Sequence, residues 1–409
     1  MRRLIFPFLL LLLLSPLFNY ALARDSGFKD ASVSDGVYAL AENGTLLKLT
    51  DGMNPLWAVK IEGAHFERLR PANDGVLLLG DVLAKLDGNG TPLWAKNLSV
   101  EDAEPLPNGD TAFLIDNVVG LISRDGRILW AAKILPKCIN EQIPTVEMRL
   151  VAPLGGAILL VGTITPPDDS KSHLFLSALS LNGSLLWAKA LNTGYYDSPD
   201  TALSIENDAL VAGVYGGGSD APWIADYFVL RVTPEGEIEW FNSYPCPKGE
   251  NWDAFWTLKI RGAFCNGGVC AFDTTTGTFI VNSAGEPLWY LNVSGKVAGI
   301  MNGSLVLLSN GTVLLAPLKQ NGETEKCYAP KIHFRDESVE VSAVPVEFKA
   351  PDLHLSVVKL GERSEPKKED ENLNNSQETE PKGKKYYGIA LISLALVGVA
   401  LEVFRKTRR

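Results

Sequence analysis

Residues 180–189 read SLNGSLLWAK, and the same phrase recurs as KLDGNGTPLWAK at 85–96 and SRDGRILWAAK at 123–133. Each copy is a polar, glycine-bearing turn followed by a short apolar run ending on Trp, a small residue and a basic one. Asn-Gly or Asp-Gly between alternating apolar stretches is the chemistry of a β-hairpin, because tight hairpin turns place residues at positive φ. The phrase therefore predicts strand, tight turn, strand.

The tryptophans of the phrase are Trp57, Trp94, Trp130, Trp187, Trp240 and Trp289; Trp240 follows Glu239 rather than Leu. A second turn opens each unit: Ser34-Asp35-Gly36, Asn73-Asp74-Gly75, Asn108-Gly109-Asp110, Gly155-Gly156, Glu206-Asn207-Asp208, Asn266-Gly267-Gly268 and Asn302-Gly303. Two turns per unit make four strands, here labelled A to D, at a spacing of roughly 35 to 60 residues, the period of propeller blades. Leucine-rich repeats are shorter and lack the second turn, and no long 3.6-residue periodicity supports a helical repeat. The expected fold is all-β: a seven-bladed β-propeller of four-stranded blades over residues 28–330. The seventh unit keeps its turns but lacks the Leu-Trp phrase. Phe28–Ser34 supplies either the inner strand of the first blade or a partner for the last.

Turn, Gly, two or three residues, then Trp on the outer hairpin resembles the PQQ-like β-propeller repeat family. That family spans quinoprotein dehydrogenases and noncatalytic relatives such as outer-membrane assembly lipoproteins. The resemblance implies that the six repeat tryptophans dock each blade on its neighbour, a role that suits a large ring with one polar N–H. The dehydrogenases also need a calcium site, a catalytic Asp and a cofactor-stacking Trp, within a longer chain. No set of positions here takes those roles, so the expected member is noncatalytic and holds no cofactor. An extracellular quinoprotein-like oxidoreductase is the alternative from another class, and a structural cell-envelope component a third.

Both ends of the 409-residue chain read as membrane-targeting segments. Arg2 and Arg3, the apolar run Leu4–Phe18 and Ala21-Leu22-Ala23 make residues 1–23 an expected secretory signal peptide. Residues 386–404 are almost wholly apolar and long enough for one transmembrane helix, with a basic tail at 405–409 that favours the inside. Before it lie a small β appendage (331–360) and a polar stalk (361–385) expected to be disordered. The expected protein is a single-pass cell-membrane protein with its bulk on the extracellular side. Eight Asn-x-Ser/Thr sequons fit that side: Asn43, Asn89, Asn97, Asn182, Asn292, Asn302, Asn310 and Asn374. Asn-Gly-Ser/Thr is equally what a turn entering a strand looks like. A net charge of −10 argues against a nucleic-acid partner, since phosphate binding wants a basic surface.

Five cysteines are too few for a disulfide scaffold. Cys265 and Cys270 flank a hairpin turn and either face each other in a bridge or stand as two buried thiols. Cys138 and Cys246 sit in long connections that a bridge could staple. The four histidines, His65, His173, His333 and His354, lack metal-ligand spacing, and no nucleophile elbow, P-loop or zincin motif occurs.

Loop length points to a site. B–C and D–A connections open on one face of a propeller, and A–B and C–D turns on the other. Connections at 136–145, 163–173, 192–200, 215–226 and 243–253 are long and neighbouring. Long loops on a rigid scaffold commonly carry function. Trp223, Trp252 and Trp256, the tryptophans outside the repeat, lie in or beside them, with Tyr195, Tyr196, Asp197, Asp200, Asp226 and Asp253. Aromatic faces with carboxylates suit recognition of an extracellular protein or glycan. The competing reading is that these rings pin long loops to the scaffold, and Trp256, inside AFWTLKI, is expected in the next inner strand and its core.

Overall fold

The computed structural model describes residues 27–137, 143–217, 221–245, 255–293, 295–318 and 329–362. The expected signal peptide, transmembrane helix and basic tail lie outside them, as do the expected stalk from residue 363 on, Trp252, Asp253, Cys138 and Cys246; the first two residues given to the stalk, Gly361 and Glu362, are strand instead.

The turns divide the chain into seven antiparallel sheets. Blade 1 comprises β1 (Phe28–Val33), β2 (Val37–Ala41), β3 (Thr45–Leu49) and β4 (Pro55–Glu62). Blade 2 is β5 (Phe66–Ala72), β6 (Gly75–Gly80), β7 (Leu83–Asp87) and β8 (Pro92–Lys96). Blade 3 is β9 (Asp102–Pro105), β10 (Thr111–Ile115), β11 (Val118–Ile122) and β12 (Ile128–Pro136). Blade 4 is β13 (Thr145–Leu154), β14 (Ala157–Thr165), β15 (His173–Ser180) and β16 (Leu185–Asn192). Blade 5 is β17 (Tyr196–Ile205), β18 (Asp208–Gly217), β19 (Ala221–Val232) and β20 (Ile238–Tyr244). Blade 6 is β21 (Ile260–Asn266), β22 (Val269–Thr274), β23 (Thr278–Asn282) and β24 (Pro287–Leu291), and blade 7 has β25 (Lys296–Met301), β26 (Ser304–Ser309) and β27 (Thr312–Pro317) among the described residues.

The inner strands β1, β5, β9, β13, β17, β21 and β25 each touch the next, and β25 touches β1, so the ring is a closed seven-bladed β-propeller. The second strands and most third strands of the blades are buried on both faces, which is why they read as near-continuous apolar runs such as Val76–Leu79. Each gap between two blades holds one hydrophobic cluster. Tyr38, Trp57, Leu69 and Leu78 pack blade 1 on blade 2, and Ala298, Val306, Val33 and Leu47 pack blade 7 on blade 1.

β1 pairs with β2 and so belongs to the first blade. Among the described residues no strand is shared between first and last blade; they close by docking. Lys296 Nζ donates to Asp30 at 2.6 Å and the Phe28 N–H to the Gly311 carbonyl at 2.8 Å. Gly299 lies against Val33, where an added Cβ would come within 2.3 Å of the valine side chain.

Residues 331–360, expected as a small β appendage, run around the outside of the ring against the chain direction. Lys331 bridges to Asn242 of blade 5, β28 (Arg335–Ser338) pairs with β16, and β29 (Val341–Pro345) pairs with β12. Asp352 then bridges to Lys96 of blade 2, and β30 (Ser356–Glu362) pairs with β4. Flat blades radiating from an axis diverge outward and leave a wedge at each rim. The strap fills these wedges in turn: Ile332 and Phe334 between blades 4 and 5, Val339 and Val341 between 3 and 4, Phe348 and Ala350 between 2 and 3, Leu353 and Leu355 between 1 and 2. It also covers the free outer edges of β4, β12 and β16.

Candidate functional site

The repeat tryptophans sit where each outer strand meets the next blade. Trp57 lies against Gly90, Trp94 against Gly126, Trp130 against Gly183, Trp187 against Gly236 and Trp240 against Gly285, each glycine in the C–D turn of the following blade. Those glycines have φ between 76° and 86°, and an added Cβ would fall within 3.1 Å of the indole. Glycine is needed twice over, for the left-handed backbone and for the space. The indole N–H of Trp57 donates to Gly88 O (3.0 Å), that of Trp130 to Leu181 O (2.7 Å) and that of Trp187 to Pro234 O (2.7 Å). Trp289 packs half-buried in the cluster between blades 6 and 7.

Two further kinds of blade-to-blade link are not marked by the repeat phrase. Third-strand cations reach an acidic residue of their own A–B turn and a turn carbonyl of the next blade: Lys48 takes Asp35 and Gly88 O, Lys85 takes Asp74 and Gly109 O, and Arg231 takes Asp208 and Ser283 O. Around the axis, a hydrogen bond crosses every junction. Asp30 accepts from Lys296 and from the Leu69 N–H, Asp102 from Arg70 and the Val151 N–H. Arg149 donates to Ser198, Asp200 accepts from the Ile260 N–H, and Asp273 from the Gly295 N–H. The signal that could have found several of them is a charged residue inside an apolar strand run, as with Lys48, Lys85 and Asp273.

The elaborated face differs in kind from the expectation of long loops. Blades 4 and 5 have strands of 8 to 12 residues, except for β20 with 7, against 4 to 6 for most strands of the other blades. Much of 192–200 and 215–226 continues the ladder, with Tyr196 opposite Gly216 and Tyr215 opposite Asp226. The extra residues keep their backbone groups paired within the sheet, so these two blades project beyond their neighbours as a rigid wall.

On that wall Tyr195 and Tyr215 meet edge to face at 5.9 Å, and Tyr196 packs on Phe255 at 6.3 Å. Burial raises the Tyr215 pKa, and the half-buried Asp226 carboxylate beside it adds to the effect. Asp197 is 1% exposed; its carboxyl accepts from Thr193 Oγ1 at 3.0 Å, and burial raises its pKa well above the ordinary aspartate value. Asp200 is pushed up to about 6 by burial, opposed by the Ile260 N–H it binds. These two carboxyls are engaged in bonds within the fold. Trp223 lies within β19.

Trp256 corrects the expectation of a core residue. β21 starts only at Ile260, Leu258 and Ile260 take the buried positions, and Trp256 is 63% exposed in the turn before them. Ile143, in the connection from blade 3 to blade 4 on the same face, is 67% exposed. His173, at the base of the blade 4 connection, is buried between Asp169 (3.0 Å) and Glu337 of the strap (3.4 Å), which ties that connection down.

The opposite face carries a cleft of about 530 Å³ between blades 2 and 3, lined by Asp74, Asp87, Leu93, Asp110, Arg124 and Asp125. Its carboxylates are largely engaged: Asp74 with Lys85 and Arg124, Asp87 with its own turn, Asp125 with Arg127. Cys265 and Cys270 lie opposite each other across β21 and β22 and are joined as a disulfide. Among the described residues no group of three metal-ligating side chains converges.

These features define a β-propeller with one raised sector. No family model matches the chain, and no curated protein matches it either. Among solved structures it is similar to BamB from Moraxella catarrhalis at 14% identity and TM-score 0.41, covering 70% of this chain and 84% of that one. It is similar to the Pan2 WD40 domain of Neurospora crassa at 9% identity and TM-score 0.42, covering 74% and 92%. PorZ, a surface component of the type-IX secretion system of Porphyromonas gingivalis, aligns at 12% identity and TM-score 0.36, covering 80% and 39%. Likenesses this remote concern the fold alone.

Proposed function

We propose that this chain is a noncatalytic binding module, tethered to a membrane by its C-terminal segment and displayed outside the cell, which engages a partner through the raised sector of blades 4 and 5. The observation that carries the reading is Trp256, a large ring left 63% exposed beside a wall of packed aromatics. Exposed Ile143 on the same face adds a second apolar contact. Two exposed apolar side chains on one face suit a protein partner better than a sugar, which would also ask for free carboxylates, and Asp197 and Asp200 are engaged within the fold. The inner-strand ion pairs support a scaffold role, since the charged groups there serve blade-to-blade bonds. We also assign the repeats to the PQQ-like kind, on the docking of five of the six repeat tryptophans against the next turn glycine.

The test is binding of the full-length chain to arrays of cell-envelope proteins and glycans. A protein hit lost in Trp256→Ala and Ile143→Ala, with thermal stability unchanged, supports the reading. A hit indifferent to both, or confined to glycans, counts against it. Oxidation of alcohols by the quinone-loaded chain would favour the oxidoreductase alternative instead.

A further inference from the structure

Seven of the eight sequon asparagines are described residues, and all seven are exposed. Five are Asn-Gly pairs: Asn43, Asn89, Asn182, Asn302 and Asn310. Hairpin chemistry accounts for those. Asn302 and Asn310 hold φ of 49° and 48°, and the Oδ1 atoms of Asn43 and Asn182 accept the N–H two residues on. Asn97 and Asn292 are different. Their sequons are Asn97-Leu98-Ser99 and Asn292-Val293-Ser294, with no glycine, and neither asparagine has positive φ.

Both occupy the same place in the repeat, the first residue after an outer strand: Pro92-Leu-Trp-Ala-Lys-Asn97 and Pro287-Leu-Trp-Tyr-Leu-Asn292. Buried Lys96 and Leu98 flank Asn97 and hold it outward. The Asn97 N–H is taken by Pro351 O at 3.0 Å, while among the described residues neither carboxamide has a hydrogen bond. Neither turn geometry nor packing asks for asparagine at these two positions.

Their location is specific too. Both lie in D–A connections, on the face of the raised sector. Asn97 stands at the junction of blades 2 and 3 and Asn292 at that of blades 6 and 7, the two ends of the arc holding all the long connections. Within that arc no connection carries a sequon.

We propose that Asn97 and Asn292 are N-glycosylation sites whose glycans frame the raised sector and restrict approach to it from either side. The donor is a lipid-linked phosphoryl oligosaccharide. The Asn Nδ2 forms a bond to the anomeric carbon, the carbon–oxygen bond to the phosphate breaks, and Nδ2 loses one proton as the lipid phosphate leaves. The proposal rests on the extracellular reading of the chain. The test combines surface biotinylation of intact native cells with mass spectrometry of glycopeptides from the labelled full-length protein. Glycan on the Asn97 and Asn292 peptides is expected, with one glycan mass lost in each of Asn97→Gln and Asn292→Gln, and Ser99→Ala matching Asn97→Gln. A labelled chain with both asparagines bare, or with glycans only at Asn-Gly turns, overturns the glycan assignment and leaves display standing. An unlabelled chain overturns both.

Discussion

At the scale of single residues, the fold depends on one contact written repeatedly. A repeat Trp covers the glycine of the next blade's turn and often gives its N–H to a carbonyl there. Trp57 is 9% exposed and makes both contacts, with Gly90 and with Gly88 O. Trp57→Ala should cost about 3 kcal/mol or more as a cavity opens between blades 1 and 2. Trp57→Phe keeps most of the ring and should cost only about 1 to 2 kcal/mol, chiefly the lost hydrogen bond. Thermal unfolding of the two variants side by side checks the order; equal losses would mean the ring contributes nothing by packing. The contact was legible because Trp and Gly recur at fixed spacing. The fate of Asp197, Asp200 and Trp256 was not, since burial depends on which elements pack over a residue, and no local pattern records that.

At the scale of elements, two features distinguish this propeller. One is the pair of lengthened blades. Insertions read as loops because polar and glycine residues dominate them, yet the backbone continues the ladder wherever two inserted segments lie antiparallel. The other is the strap. Its paired apolar residues, Ile332/Phe334, Val339/Val341, Phe348/Ala350 and Leu353/Leu355, recur about as often as it passes a blade rim. That spacing is a sequence signal, readable only once the rim wedges are known. Ending the chain before residue 331 should leave the seven sheets formed but lower the melting temperature, and amide exchange should quicken at the outer edges of β4, β12 and β16. Exchange unchanged at those strands would show that the strap is not what protects them.

At the scale of the whole molecule, buried carboxyls set a pH dependence. Burial pushes Asp200 and Asp273 up to about 6, Glu104 up to about 8 against the pull of Arg70, and Asp197 well above the ordinary value. Each binds its proton more tightly folded than unfolded. Their contribution is therefore full below the unfolded carboxylate pKa and is lost as pH rises through about 6 and then about 8. A tenfold difference in proton affinity between folded and unfolded chain is worth about 1.4 kcal/mol, so stability should fall by a few kcal/mol between pH ~4.5 and ~8.5. Partial burial alone would raise Asp35 and Asp74, but Lys48 and Lys85 outweigh it and hold both low, so these two act only below that window. Thermal melts across it check the sign, and Asp197→Asn, uncharged at every pH, should flatten the slope. The number of blades and the place of each turn follow from the amino-acid order alone, because turn chemistry and strand alternation act within a few residues and repeat. How the ring closes, where the last strands run and which aromatic ring stays in water are settled in three dimensions. Contacts between residues far apart in the chain, such as Asp30 with Lys296 and β4 with β30, set them, together with wedges that exist only once the blades stand around an axis.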